Sequence, residues 1–145
     1  LYYKSLREAA RHCILTPMKH LAIFTPELAK KIFSGEKKIE GRFSRIKIAP
    51  FGHVSSGDTV LVKIPGEKII GQFLVDRVIS FDHPNREELA EIKKRYGAKL
   101  TLPASFFLER EHINYITLMF IRSVNRFLVA PHIEKKDLRG WVVLD

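Results

Sequence analysis

Ser34-Gly35-Glu36-Lys37-Lys38-Ile39-Glu40-Gly41-Arg42 lies between two segments of different hydrophobic rhythm. Upstream, Thr25-Pro26-Glu27 is a helix start. Threonine can cap free N–H groups, proline is tolerated at the first helical position, and Glu27 complements the helix dipole. Leu28, Ala29, Ile32 and Phe33 then follow at helical spacing. Gly35 stands where a left-handed C-terminal cap belongs. Downstream, Lys38 to Ile48 carries Ile39, Phe43, Ile46 and Ile48, a broken alternation that predicts a strand bent near Gly41. Lys37, Glu40 and Arg42 are thereby gathered around one tight turn.

Working outward, Ser5-Leu6-Arg7-Glu8 has capping-box spacing and predicts a helix over residues 5–14, ended by Thr16-Pro17. Lys19 to Phe24 alternates as a first strand. Residues 49–58 hold Pro50, Gly52, Ser55, Ser56 and Gly57 and read as a loop. Thr59 to Ile64 and Ile69 to Phe81 read as a hairpin joined at Pro65-Gly66, with Gly57-Asp58 at its entry. Asp82 to Asn85 opens a second helix with Leu89, Ile92 and Tyr96 on its apolar side and Gly97 at its end. A third, short helix begins near Pro103; Tyr115 to Val124 and Trp141 to Leu144 are the last strands. The order predicts an α+β fold, a small and mostly antiparallel barrel with inserted and flanking helices.

The chain has 145 residues, enough for one domain with a real core, and its 46% hydrophobic content excludes disorder. Lys and Arg number 25 against 16 Asp and Glu, and this surplus of +9 favours a polyanionic partner. Cys13 is the only cysteine, so no internal disulfide forms, which suits a reducing cytoplasm. The longest apolar run, Ile116 to Ile121, falls well short of the roughly 20 residues that span a bilayer. The six histidines are scattered singly, without metal-site spacing, so no metal is expected. No Walker loop, dinucleotide fingerprint or Gly-x-Ser-x-Gly elbow occurs.

The central stretch reads Gly-x-Lys-x-x-Glu-x-Arg at Gly35, Lys37, Glu40 and Arg42. With this motif after a capped helix and before a strand, residues 16–145 resemble the ASCH family, small barrels related to the PUA RNA-binding modules; residues 1–15 form an extension outside the resemblance. The resemblance implies an RNA- or nucleotide-binding module with a basic cleft; together with the cysteine count and the short apolar runs, the expectation is a cytoplasmic protein with no cofactor and no membrane partner. Some small ASCH members hydrolyse acetylcytidine, and in them the motif lysine, here Lys37, is the proposed catalytic group. The alternative reading is therefore a small hydrolase acting on an acylated nucleoside or on RNA, with Lys37 and Glu40 as its catalytic pair. Two departures stand out. Those enzymes carry threonine where this chain has Glu40, and a glutamate between the inserted helices where Tyr96-Gly97-Ala98-Lys99-Leu100 has no acid.

Chemically, a lysine acts as base or nucleophile only where burial or a nearby cation lowers its pKa. Glu40 and Arg42 pull Lys37 in opposite directions. Arg42 either grips a phosphate or pairs with Glu40 or Asp58. Arg45, Lys47 and Phe51 continue the segment, with Phe51 either stacking on an unpaired base or folding inward as a lid. Arg122 and Arg126 are further candidates for the cleft wall. The expected ligand-binding set is Gly35, Lys37, Glu40, Arg42, Arg45, Phe51 and Arg122. The run Lys93-Lys94-Arg95 is either a solvated face or a second phosphate-tracking surface.

Overall fold

A computed structural model describes residues 16–103, 105–109, 112–133 and 139–144. The helix expected over residues 5–14 lies outside them. Six strands, β1 (Lys19–Ile23), β2 (Ile39–Ser44), β3 (Thr59–Lys63), β4 (Ile69–Asp82), β5 (Tyr115–Arg126) and β6 (Trp141–Leu144), form one sheet among the described residues. Their order is β2-β5-β4-β3-β1-β6. β1 runs parallel to β3, and the other neighbours are antiparallel. The sheet curls into a half-barrel, accompanied by α1 (Pro26–Ser34), α2 (Arg86–Leu100) and the short α3 (Phe106–Glu109).

α1 forms for the reasons its sequence predicts. The Thr25 hydroxyl accepts from the Leu28 N–H at 3.3 Å, and Ala29 and Ile32 are buried. Gly35 adopts φ 80° and donates its N–H to Ile32 O, a backbone that a side chain would strain. β2 runs unbroken through Gly41, opposite Leu118, instead of bending there. The glycine serves a close approach. A Cβ on Gly41 would lie 2.7 Å from Leu100 Cδ2 and from the Phe43 ring. The strand ends at Ser44, short of Ile48, where the Ser44 hydroxyl donates to Ile46 O and turns the chain.

Because side chains alternate along strands, the sheet builds a core on each face. Ile39 and Phe43 of β2 meet Ile116, Leu118 and Phe120 of β5 under Ile92 and Leu100 of α2. On the other face Phe24, Ile32, Val60, Phe73, Val75, Met119 and Trp141 form the barrel core. β4 serves both. A register shift between Val75 and Arg77 leaves Val75 and Val78 toward the barrel core and Ile79 and Phe81 toward α2.

α2 begins in a full capping box, Asn85 with Glu88. It does not end at Gly97 but continues to Leu100, with Thr101 in the left-handed cap at φ 54°. Glycine costs a helix interior only about 1 kcal/mol. That is outweighed by burial of Leu100 over Gly41 and by two donors from the central stretch. The Lys38 N–H reaches Lys99 O at 3.0 Å, and the Lys37 ammonium reaches Leu100 O. These are terminal carbonyls with no partner inside the helix. The motif therefore also caps α2.

Candidate functional site

β2 and β6 are the free edges of the half-barrel, and Arg42 spans the gap between them. Its Nη2 donates to Ile23 O at 2.9 Å, and its guanidinium lies 5.0 Å from the Phe24 ring centre and 5.2 Å from that of Trp141. Its Nε donates to Glu40 Oε1 at 3.0 Å. Of the two carboxylates that could have paired with Arg42, it is Glu40 that does so. Asp58 is engaged elsewhere, accepting from the N–H groups of Met18 and Ser55 and from His20.

That His20 link is a second buried polar unit. Trp141 Nε1–H donates to His20 Nδ1 at 3.1 Å, which makes Nδ1 an acceptor and leaves the proton on Nε2, directed at Asp58 Oδ2 at 2.8 Å. His20 is thus held in one neutral tautomer. It ties β1, β6 and the loop before β3 together directly behind the Arg42 clasp.

Lys37 and Glu40 lie beneath Arg42, with side chains 1% and 6% exposed. Lys37 Nζ stands 3.6 Å from Glu40 Oε2, close enough for charge attraction but beyond hydrogen-bond range. Glu40 Oε2 is buried with no hydrogen-bond partner among the described residues. Burial pushes the Lys37 pKa below the ordinary lysine value. Glu40 opposes the shift, and the Arg42 and Lys31 cations add to it.

These three side chains line a hollow of about 270 Å³ whose walls are Phe24, Leu28, Phe43, Leu102 and Phe106. Its floor is charged and its walls are apolar and aromatic, the usual composition of a small-ligand site. A larger depression of about 680 Å³ lies far along the sheet, bordered by Lys63, Lys68, Arg126 and residues 127–133. It holds no buried polar group, so the smaller hollow is the stronger candidate.

The expected site residues divide. Lys37, Glu40 and Arg42 come together, and Gly35 shapes the turn before them. Arg45 and Phe51 do not line the hollow; they lie beyond the far end of β2, where the Phe51 ring packs 4.9 Å from that of Tyr115. Arg122 is exposed on β5, 3.4 Å from Asp76, and is not in the hollow either. The Arg126 guanidinium lies 4.4 Å from the ring centre of Phe33. Phe24 and Phe106 in its wall, and Trp141 and the Leu100 carbonyl that hold Arg42 and Lys37 from behind it, were not foreseen at the site. A single tryptophan two residues after Arg139 was a visible signal; a backbone carbonyl gives none.

The architecture matches crystal structures of an ASCH protein from Zymomonas mobilis. The unsubstituted protein superposes with a TM-score of 0.56 at 20% identity over 74% of this chain and 69% of that one. A serine-to-alanine variant of it gives 0.58 at 21%, over 74% and 70%. A tyrosine-to-phenylalanine variant gives 0.57 at 21%, over 74% and 71%. No family model and no curated protein matches the sequence. The chain has the fold of these ASCH structures, an α+β half-barrel, and among the described residues no helix is long and apolar enough to cross a membrane.

Proposed function

We propose that this chain is an RNA- or nucleotide-binding module whose ligand enters the hollow between β2, the β1–α1 junction and the segment after α2. The observation that carries the reading is Glu40 Oε2, buried at the floor of an aromatic-walled hollow with the Lys37 charge 3.6 Å away but no hydrogen-bond donor among the described residues. Leaving a buried charged acceptor without a donor is costly. A nucleobase offers both an exocyclic N–H for that oxygen and a flat ring for Phe24, Phe43 and Phe106 to enclose. Arg42, 24% exposed at the rim, supplies positive charge for a phosphate, and the net charge of +9 draws polyanions toward it.

One observation favours the hydrolase reading. The lowered pKa of Lys37 moves it toward the neutral amine that base or nucleophilic catalysis requires. Against it, Lys37 Nζ already donates to Leu100 O and its side chain is 1% exposed, so the amine serves the fold before any substrate. Binding is the better-supported role.

The test uses the single tryptophan, whose ring centre lies 5.2 Å from the guanidinium of the hollow-lining Arg42. Trp141 emission is followed during titration with cytidine monophosphate, and the anisotropy of a labelled single-stranded RNA is followed at two salt concentrations. The expected result is an emission change on nucleotide binding and RNA affinity that falls with salt. Phe106→Ala, on the hollow wall, weakens both. Unchanged binding in Phe106→Ala and Glu40→Gln would remove the hollow from the reading. Product from acetylcytidine that depends on Lys37 would replace binding with catalysis.

A further inference from the structure

The register of β2 and β5 places the hollow and a second feature on one line. Glu40 stands opposite Met119, Arg42 opposite Thr117 and Ser44 opposite Tyr115, so these residues share one sheet face in consecutive steps. Two residues of strand, about 7 Å, separate Arg42 from the Ser44–Tyr115 pair. At that end three rings meet edge to face. Phe51 lies 4.9 Å from Tyr115 at 65°, and His83 lies 5.1 Å from Tyr115 at 69°.

His83 is the unusual member. Its side chain is 61% exposed, yet its position is held from three directions. Its backbone is left-handed at φ 51°, a conformation that costs a non-glycine residue about 1 kcal/mol or more. Its N–H donates to Asn114 O at 2.6 Å, and its Nδ1 bonds the Asp82 carboxylate. Asn114 then donates its side-chain amide to Arg45 O, joining the ring ledge to the exposed Arg45 and Lys47. The Asn114 bond holds this backbone, while the ring itself stays largely exposed. A held ring with exposed cations on a segment bonded to it suits single-stranded nucleic acid, base on ring and phosphate on cation.

We propose that the Phe51–Tyr115–His83 ledge is a second contact for a single strand of RNA, stacking one unpaired base while the neighbouring unit occupies the hollow. This rests on the hollow being a nucleotide site and extends it, making the ligand a strand rather than a free nucleoside. Arg45 and Phe51, which the structure separates from Lys37, belong to this second contact. Asp82 holds the His83 ring through Nδ1, and the side chain stays 61% exposed.

The experiment compares a labelled 12-nucleotide single-stranded RNA with cytidine monophosphate on the unsubstituted protein, His83→Gly and His83→Asn. Glycine and asparagine both accept the left-handed backbone, so the fold is kept, and His83→Gly unfolds at the same or a higher temperature. The expected result is RNA binding weakened about five- to tenfold, within the range of losing one stacking ring, with mononucleotide binding unchanged. Phe51→Leu weakens RNA binding in the same direction. If RNA binds and Phe106→Ala weakens it while the His83 variants do not, the ledge is refuted and the hollow stands. If the unsubstituted protein binds neither probe, both readings fall.

Discussion

Replacing Glu40 with glutamine keeps its shape and removes the charge that lies between two cations. Lys37, with its side chain 1% exposed, then loses the only carboxylate near it among the described residues, and the acceptor 3.0 Å from Arg42 Nε becomes at best a neutral amide oxygen. Breaking a buried ion pair in this way costs about 3–5 kcal/mol. The Arg42 share is partly screened by solvent, and Lys37 can relieve its own share by losing a proton. A destabilisation of about 3 kcal/mol near pH 6 is therefore expected. The pH dependence has a definite sign. The folded-state pKa of Lys37 is already depressed, so the unfolded chain binds more protons than the folded one between that pKa and about 10.4. Stability contributed by this group therefore rises with pH across that window. Glu40→Gln removes the influence that holds the Lys37 pKa up, so the pKa falls further and the rise begins at lower pH. The deficit of the variant is thus largest at low pH and shrinks as pH climbs through the Lys37 pKa of the unsubstituted protein. Urea unfolding at pH 6, 7.5 and 9.5 measures it. With a slope of about 2 kcal/mol per molar, the midpoint at pH 6 should drop by about 1.5 M. In a double-mutant cycle with Lys37→Met, the coupling should exceed about 1 kcal/mol. A deficit that is the same at all three pH values would refute the view that Glu40 acts by holding a charge on Lys37.

Two further substitutions test how the frame around the hollow is held. Gly71→Ala places a Cβ 2.5 Å from both Asn125 O and the Phe33 ring, so it should destabilise by about 1–3 kcal/mol, read as a lower thermal midpoint; an unchanged midpoint would mean that α1 can retreat from β4 at no cost. His20→Phe keeps the volume roughly but orphans the Trp141 N–H and one Asp58 bond, both buried. Stability should fall by about 2–4 kcal/mol, with a shift in Trp141 emission, and emission identical to that of the unsubstituted protein would show that the bond to His20 does not hold the indole.

Much of this was legible in the chain itself. Thr25, Pro26 and Gly35 determine α1 because capping is local chemistry, settled within a few residues. The strands could be read because period-two alternation records which side is buried, and the Gly-x-Lys-x-x-Glu-x-Arg spacing marked Lys37, Glu40 and Arg42 as one group. Three things required the tertiary structure. Gly97 reads as a helix end, yet α2 passes through it, because Leu100 docking on Gly41 and the Lys37 and Lys38 donors outweigh a local preference of about 1 kcal/mol. Arg45, Phe51 and Arg122 read as neighbours of the motif, yet the turn after Ser44 and the run of β5 carry them away from the hollow. The identity of the Arg42 partner, Glu40 rather than Asp58, was decided when His20 and Trp141 closed around Asp58 from residues far apart in sequence. Local spacing determines which side chains a turn presents. Which carboxylate an arginine meets, and whether a lysine is buried, depends on which strands become the edges of the sheet, and only long-range packing decides that.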